Sequence, residues 1–254
     1  MRKAPIFFHQ LPDGIDPYVI PGDPSSGWLW GISTDTLVPR GSGDKKIQAY
    51  NFCLALTQDK ANQVPFAHRP DNYNLDHYEL LLRIIAKEKW TTIHSSFTCY
   101  TLPNGELKIH HSGGFLIKNM PNGKTDFNNF GGFSTDMIGA NHDYPEADYE
   151  SRKKIWKAHE DYTKGLLYFL SHDERIPLHI KEEMLSWGYS KDEFVDVNGF
   201  LNQLYVREAR RMIGELVMNQ NHCVGNEVVD DQIGMAAYGM DSHNCQRIVV
   251  NCMV

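Results

Sequence analysis

The sequence predicts an α+β fold in which a mixed or antiparallel sheet packs against several helices. Three observations carry that prediction. Residues 46–57, KIQAYNFCLALT, alternate, with Tyr50, Phe52, Leu54 and Leu56 on one face and Ile47, Ala49, Cys53 and Ala55 on the other. That is the period of a strand covered on both sides. Pro103-Asn104-Gly105 separates TCYTL from ELKIHH, a strong hairpin signal. Apolar residues also recur at spacings of three and four over several long stretches, the mark of helices with one buried face.

Residues 9–44 come first and are dense in Pro, Gly, Asp and Ser, as in DPYVIPGDPSSGWLWGI. They read as a long ordered loop with turns at Pro21-Gly22 and Ser26-Gly27. Within it LVPRGS, residues 37–42, matches a thrombin site of expression tags, but the flanks continue smoothly and it reads as native sequence. Asn74 is placed to cap a helix carrying Tyr78, Leu81, Leu82 and Ile85. Residues 90–118 read as short strands. A longer helix runs from Pro145 or Asp148 to Leu170, with Ile155, His159, Tyr162, Leu166 and Phe169 on one stripe. A shorter one at 177–187 stops at Gly188. A third, over 203–218, turns Tyr205, Ala209, Met212 and Leu216 inward and carries Arg207 and Arg211 one turn apart on its other side. The ending QRIVVNCMV is an apolar, strand-like run, and a domain rarely stops in mid-strand. The expectation is a truncated chain.

Composition narrows the function. Of 254 residues, 41% are hydrophobic and 22% charged, as in a soluble globular chain of one large or two small domains. The net charge is −7 and the basic residues are scattered, which argues against a nucleic-acid-binding stripe. No apolar run approaches the roughly 18 residues of a membrane span, and the block Ile6-Phe7-Phe8 is too short for a signal peptide. Nothing here fixes the compartment. The five cysteines, Cys53, Cys99, Cys223, Cys245 and Cys252, form no CxxC pair and are odd in number, so buried free thiols are expected. The twelve histidines show no zinc-ligand spacing, and no HExxH, Walker loop, GxSxG or GxGxxG occurs. No metal site is expected.

Three places carry chemistry. In MDSHNCQR, Asp241, His243, Asn244 and Arg247 crowd together, so a carboxylate or amide neighbour can orient an imidazole that serves as a base. A polar turn with a surface histidine is the competing account. In QLYVREARRMIG, Arg207 and Arg211 on one helix face suit a carboxylate or phosphate clamp. A solvated face with Arg211 paired to Glu215 is the alternative there. In DFNNFGGFSTDMIGANHDYPEAD, residues 126–148, Asn128, Asn129, Asn141 and Asp143 supply hydroxyl-binding groups. Phe127, Phe130, Phe133 and Tyr144 supply flat apolar faces, a mixture that suits a sugar or polyol. An irregular loop whose Asn and Asp satisfy their own backbone is the other reading.

Several segments together resemble one family. HQLPDGIDPYVIPGDPSSG, GDKKIQAYNF, NGKTD, FSTDMIGANHDYPEADY, DYTKGLLYFL, KDEF, QLYVREARRM and MDSHNCQR occur in this order in a group of bacterial FAD-dependent oxidoreductases, some of which have carried a xanthan lyase label. The resemblance spans about His9 to Val250. It implies the substrate-side or cap domain of a two-domain, glutathione-reductase-like flavoprotein, occupying residues 1–254 and truncated at both ends. The glycine-rich FAD fingerprint and the carboxy-terminal completion of the FAD domain would lie in the missing portion of the parent. It further implies FAD as cofactor and a small-molecule or glycan substrate, with the fragment alone inactive.

The chain departs from the family pattern at Cys53 and Ala55, where an arginine and then a cysteine are usual. It departs again at Phe200-Leu201-Asn202, where Trp-Pro-His is usual, which leaves His243 as the candidate base. The function implied is oxidation of a hydroxyl-bearing, sugar-like substrate by hydride transfer to FAD. In it His243 is the base, Asn244 or Asp241 orients it, and Arg207 and Arg211 bind an anionic group. Polysaccharide lyase chemistry and non-catalytic glycan binding are the alternatives.

Overall fold

A computed structural model describes residues 11–36, 38–39, 42–101, 103, 105, 107–235 and 242–249. Its strands are β1 (Leu54–Thr57), β2 (Gln63–Val64), β3 (Phe97–Thr101), β4 (Leu107–His111), β5 (Phe115–Asn119), β6 (Lys124–Asn129) and β7 (Gly188–Ser190). The helices are α1 (Glu79–Glu88), α2 (Tyr149–His172), α3 (Leu178–Ser186) and α4 (Gln220–Cys223). Five strands make one antiparallel sheet in the order β2-β7-β1-β6-β5, and β3 pairs with β4 as a separate hairpin. The fold is α+β, as the alternation and helical stripes predict.

Period-two alternation places the key residues of β6. Thr125, Phe127 and Asn129 are buried while the residues between them are half-buried. Phe127 stacks on Phe115 of β5 with ring centroids 5.1 Å apart, and faces Leu54 of β1 in the ladder. Asn129 therefore ends the strand on the same covered face as two core phenylalanines. A polar side chain there needs partners inside the protein.

Helix α2 closes over this core. Asp148 caps it, its carboxylate accepting from the Ser151 amide at 2.8 Å. Tyr162, Leu166, Phe169 and Leu170 are 2% exposed or less. Phe169 stacks on Tyr78 at 5.1 Å, and Tyr162 stacks between Tyr78 and Trp30. Gly165 permits this approach, because a Cβ there would lie 2.2 Å from the Tyr78 hydroxyl, which donates to the Tyr162 carbonyl. His159 sits on the same stripe. Its Nδ1 donates to the Ile155 carbonyl at 2.8 Å, and burial pushes the imidazole down to about 4. It is a neutral packing residue. Asn74 caps a 3-10 turn, Leu75–Tyr78, that leads into α1.

Four expectations are corrected. The strand over 46–57 keeps its ladder only in β1, although Ala49, Tyr50, Asn51 and Phe52 are fully buried. Upstream of β1 the backbone groups of 48–51 bond to several separate segments, as described below. The helix over 203–218 does not form. Met212 is 89% exposed and Leu216 47%, so this part of the apolar stripe is uncovered among the described residues. Tyr205 is drawn into an antiparallel bridge, its amide donating to the Asn51 carbonyl at 2.9 Å. An isolated helical stripe without burial is marginal, and a tertiary pairing overrides it.

The closing strand is also absent over 246–249, and residues 250–254 lie outside the described residues. The carbonyls of Asn244, Cys245 and Arg247 instead accept from Ala49, His142 and Ser33, three separate segments. The thiols are less buried than expected. Cys53 and Cys245 are half-buried and Cys223 is exposed, while the side chain of Cys99 and all of Cys252 lie outside the described residues. Burial pushes the Cys53 thiol up to about 11, which keeps it unreactive. Leu37, Arg40 and Gly41 of LVPRGS likewise lie outside the described residues.

Candidate active site

The extended segment 48–51, just before β1, is where distant parts of the chain meet. The Gln48 amide N–H and Nε2 both donate to the Glu208 carboxylate, and Gln48 Oε1 accepts from the His243 amide at 2.7 Å. Asn141 donates to the Gln48 carbonyl at 2.8 Å and accepts from the Tyr50 amide. The Tyr50 hydroxyl donates to the Glu208 carbonyl, and desolvation pushes this phenol up to about 12. Asn51 Nδ2 donates to Asn128 Oδ1 at 2.9 Å and to the Thr135 hydroxyl at 3.2 Å. A strand that leaves its sheet has unsatisfied backbone groups, and here every neighbouring segment supplies one.

At the centre stands Asp136, its side chain 3% exposed. Its Oδ2 accepts from Asn129 Nδ2 at 2.7 Å and lies 2.8 Å from His243 Nδ1. A carboxylate beside Nδ1 fixes the imidazole proton there, so Nε2 is the basic nitrogen. Asn129 Nδ2 is also 2.7 Å from His243 Nδ1. With both nitrogens carrying hydrogens, that approach reflects their shared acceptor and is not a bond between them. Asp136 Oδ1 has no hydrogen-bond donor among the described residues and faces Arg207 Nη2 at 3.8 Å.

Arg207 serves the same cluster. Its Nη2 donates to Asn51 Oδ1 at 2.9 Å and to Asn129 Oδ1 at 3.4 Å, and its Nε to the Ala49 carbonyl. Its guanidinium lies 4.5 Å from the centroid of the Tyr205 ring. Asn129 thus accepts from Arg207 with one end of its amide and donates to Asp136 with the other. The set is a buried carboxylate that orients an imidazole, with the Arg207 guanidinium 3.8 Å behind it. Such an arrangement fixes the tautomer and orientation of an imidazole.

The sequence-derived site residues therefore divide. His243, Asn129, Arg207 and Asn128 come together. Asn141 is fully buried and ties Gln48 to Tyr50 inside the fold. Asn244 is half-buried, its carbonyl holding Ala49. Asp143 is exposed, with its carbonyl capping the turn at Glu146 and Ala147. Arg211 is exposed in a stretch with no helix, so the clamp with Arg207 that a shared helix face would create does not exist. Asp241 lies outside the described residues. The orienting group is Asp136, more than a hundred positions from His243, with Asn129 donating to its carboxylate. Asp136 was legible as a lone carboxylate between Phe133-Ser134-Thr135 and Met137-Ile138, a run the fold buries almost entirely.

The loop that carries Asp136 continues as one wall of an open cleft of about 380 Å³, lined among others by Trp30, Gly31, Met137, Ile138, His142 and Arg247. That is the size range of a small-molecule site. No cluster of three or more metal-ligating side chains occurs among the described residues, and no helix there is long and apolar enough to cross a membrane.

Comparison with known proteins gives one finding. The family model described as FAD dependent oxidoreductase matches residues 13–253. No curated protein matches the chain, and neither does any solved structure.

Proposed function

The chain belongs to the FAD dependent oxidoreductase family, and from that premise we propose that it forms the substrate side of an enzyme that oxidises a hydroxyl-bearing small molecule, with His243 as the base. The family implies FAD as cofactor. The residues present fit a planar ring. The cleft has flat and apolar walls in Trp30, Met137 and Ile138, and it includes Gln246, whose buried Oε1 meets no donor among the described residues. Bound there, FAD supplies the hydride acceptor.

The protein's own contribution is proton handling and positioning. Asp136 holds the Nδ1 proton of His243, and in this reading the substrate's hydroxyl proton passes to Nε2. Arg207 and Asn129 hold Asp136 in place behind the imidazole, so that its carboxylate keeps its contact with Nδ1. Arg207 is a positioning residue in this account, since its nitrogens are turned to Asn51, Asn129 and Ala49. The carrying observation is the 2.8 Å approach of His243 Nδ1 to the buried Asp136 carboxylate. A sugar-like substrate is the narrower version of this reading. It is supported only by the half-buried Phe130 and Tyr144, because Asn128, Asn129 and Asn141 are bonded within the fold. No feature of the site favours β-elimination or passive glycan binding.

The test is anaerobic flavin bleaching with a panel of polyols and sugars. His243→Ala is expected to slow reduction by about 10²–10⁴-fold. Asp136→Asn is expected to slow it by about 10- to 100-fold while FAD stays bound. Rates within twofold of wild type for His243→Ala overturn the assignment of the base.

A further inference from the structure

Arg247 is 5% exposed, yet it has no ion-pair partner among the described residues. Its Nε and Nη2 both donate to the Gly132 carbonyl, at 3.2 and 3.1 Å, and its guanidinium lies 5.0 Å from the centroid of the Phe133 ring. An arginine keeps its charge even when buried, and beyond one carbonyl, one ring face and the more distant charge of Asp136 this guanidinium has no direct ion pair among the described residues. The nitrogen not engaged by Gly132 is Nη1, which abuts Gly31, and both residues line the 380 Å³ cleft. Gly31 has a φ of +81°, and a Cβ there would stand 3.1 Å from Nη1. Backbone and space alike thus keep the arginine's approach to the cleft open. The next residue back, Gln246, lines the same cleft and carries the opposite deficiency, a buried amide oxygen with no donor. A terminal amide torsion is soft, so this oxygen turns toward the cleft at little cost.

A donor with spare positive charge and an acceptor in need of a hydrogen therefore stand on adjacent residues, at the edge of a cleft with flat and apolar walls. The ligand that answers both is a planar ring with an acceptor edge beside an N–H. We propose that this cleft seats the pyrimidine end of the flavin ring, with Arg247 donating to its N1–C2=O edge and Gln246 Oε1 accepting from N3–H. The inference rests on the FAD reading above and adds a role to it. A cation at N1–C2=O stabilises the ring whenever it carries negative charge, as it does when reduced.

Sulfite reads this directly, without turnover. Its sulfur lone pair forms a bond to N5 of the oxidised ring, and the displaced electron pair and the charge come to rest on the N1–C2=O edge. The purified full chain is titrated with FAD and then with sulfite, following flavin absorbance, for wild type, Arg247→Lys, Arg247→Met and Gln246→Leu. Arg247→Met is expected to weaken sulfite binding by about 10- to 100-fold, the loss of one charge-assisted hydrogen bond, with Arg247→Lys between it and wild type. Gln246→Leu is half-buried and close to isosteric, so it guards against misfolding of the arginine variants. It is expected to weaken FAD binding by about tenfold.

FAD-loaded variants whose sulfite affinity stays within twofold of wild type overturn the ring-edge placement and leave the flavoenzyme reading standing. A wild-type protein that takes up no FAD with the family's FAD-binding portion present overturns both. Arg247-dependent binding of a simple carboxylate such as glucuronate, in competition with FAD, assigns the cleft to a substrate anion and overturns the proposal as well.

Discussion

Helix α2 and the stretch 203–218 have the same sequence signature and opposite fates. Each carries apolar residues at spacings of three and four with charged residues between them. In α2 the stripe is covered by Tyr78, Trp30, Phe133 and α3, and the helix runs for 24 residues. In 203–218 only Tyr205 of the stripe finds partners among the described residues, Ile213 is 94% exposed, and the chain stays irregular. Periodicity thus states which face would be buried if something were there to bury it. It does not state whether a partner exists.

Substitutions can break that contrast. Leu166→Ala, in the covered stripe, is expected to cost about 2–5 kcal/mol, whereas Leu216→Ala is expected to stay within about 0.5 kcal/mol. Denaturant unfolding of the two variants checks this, and equal losses would mean that 203–218 is packed after all.

A pH series sharpens the contrast next. His159 on α2 is depressed to about 4 by burial, while the unfolded chain titrates at the ordinary histidine value. The unfolded state therefore takes up the proton first, and stability falls as pH drops through about 6.5, levelling off near 4. The full excursion is roughly 3 kcal/mol. His159→Leu is expected to flatten this part of the profile, read from unfolding midpoints at pH 7.5 and 4.5. A profile unchanged by the substitution would place the acid sensitivity elsewhere.

The smallest effect concerns the caps. Asp148→Ala is expected to cost about 1 kcal/mol, because the helix it starts is packed. Asn219 makes a capping box for the four-residue α4, which buries nothing. Asn219→Ala is expected to leave the unfolding midpoint unchanged, and a loss matching that of Asp148→Ala would contradict the comparison.

The parts of the fold that sequence revealed are those with local causes. The Asp148 and Asn74 caps, the α2 and α3 boundaries and the β3–β4 hairpin each depend on residues a few positions apart. His243 was visible as a reactive residue in a polar cluster. Its partner was not, because the neighbours in sequence, Asp241 and Asn244, look equally able to orient it. Asp136 lies 107 positions away and arrives only through the packing of loop 134–141 against segment 48–51. Arg207 was noticed for a helix face that never forms, and takes its place through the bridge between Tyr205 and Asn51.

Gln48 holds Glu208 with its two nitrogens and His243 with its amide oxygen. Everything between those partners is consequently an excursion that departs from and returns to a single residue. Lengthening such an excursion is inexpensive, roughly 0.6 kcal/mol for each doubling. The two ends that Gln48 holds therefore set the geometry around His243, whatever length of chain joins them.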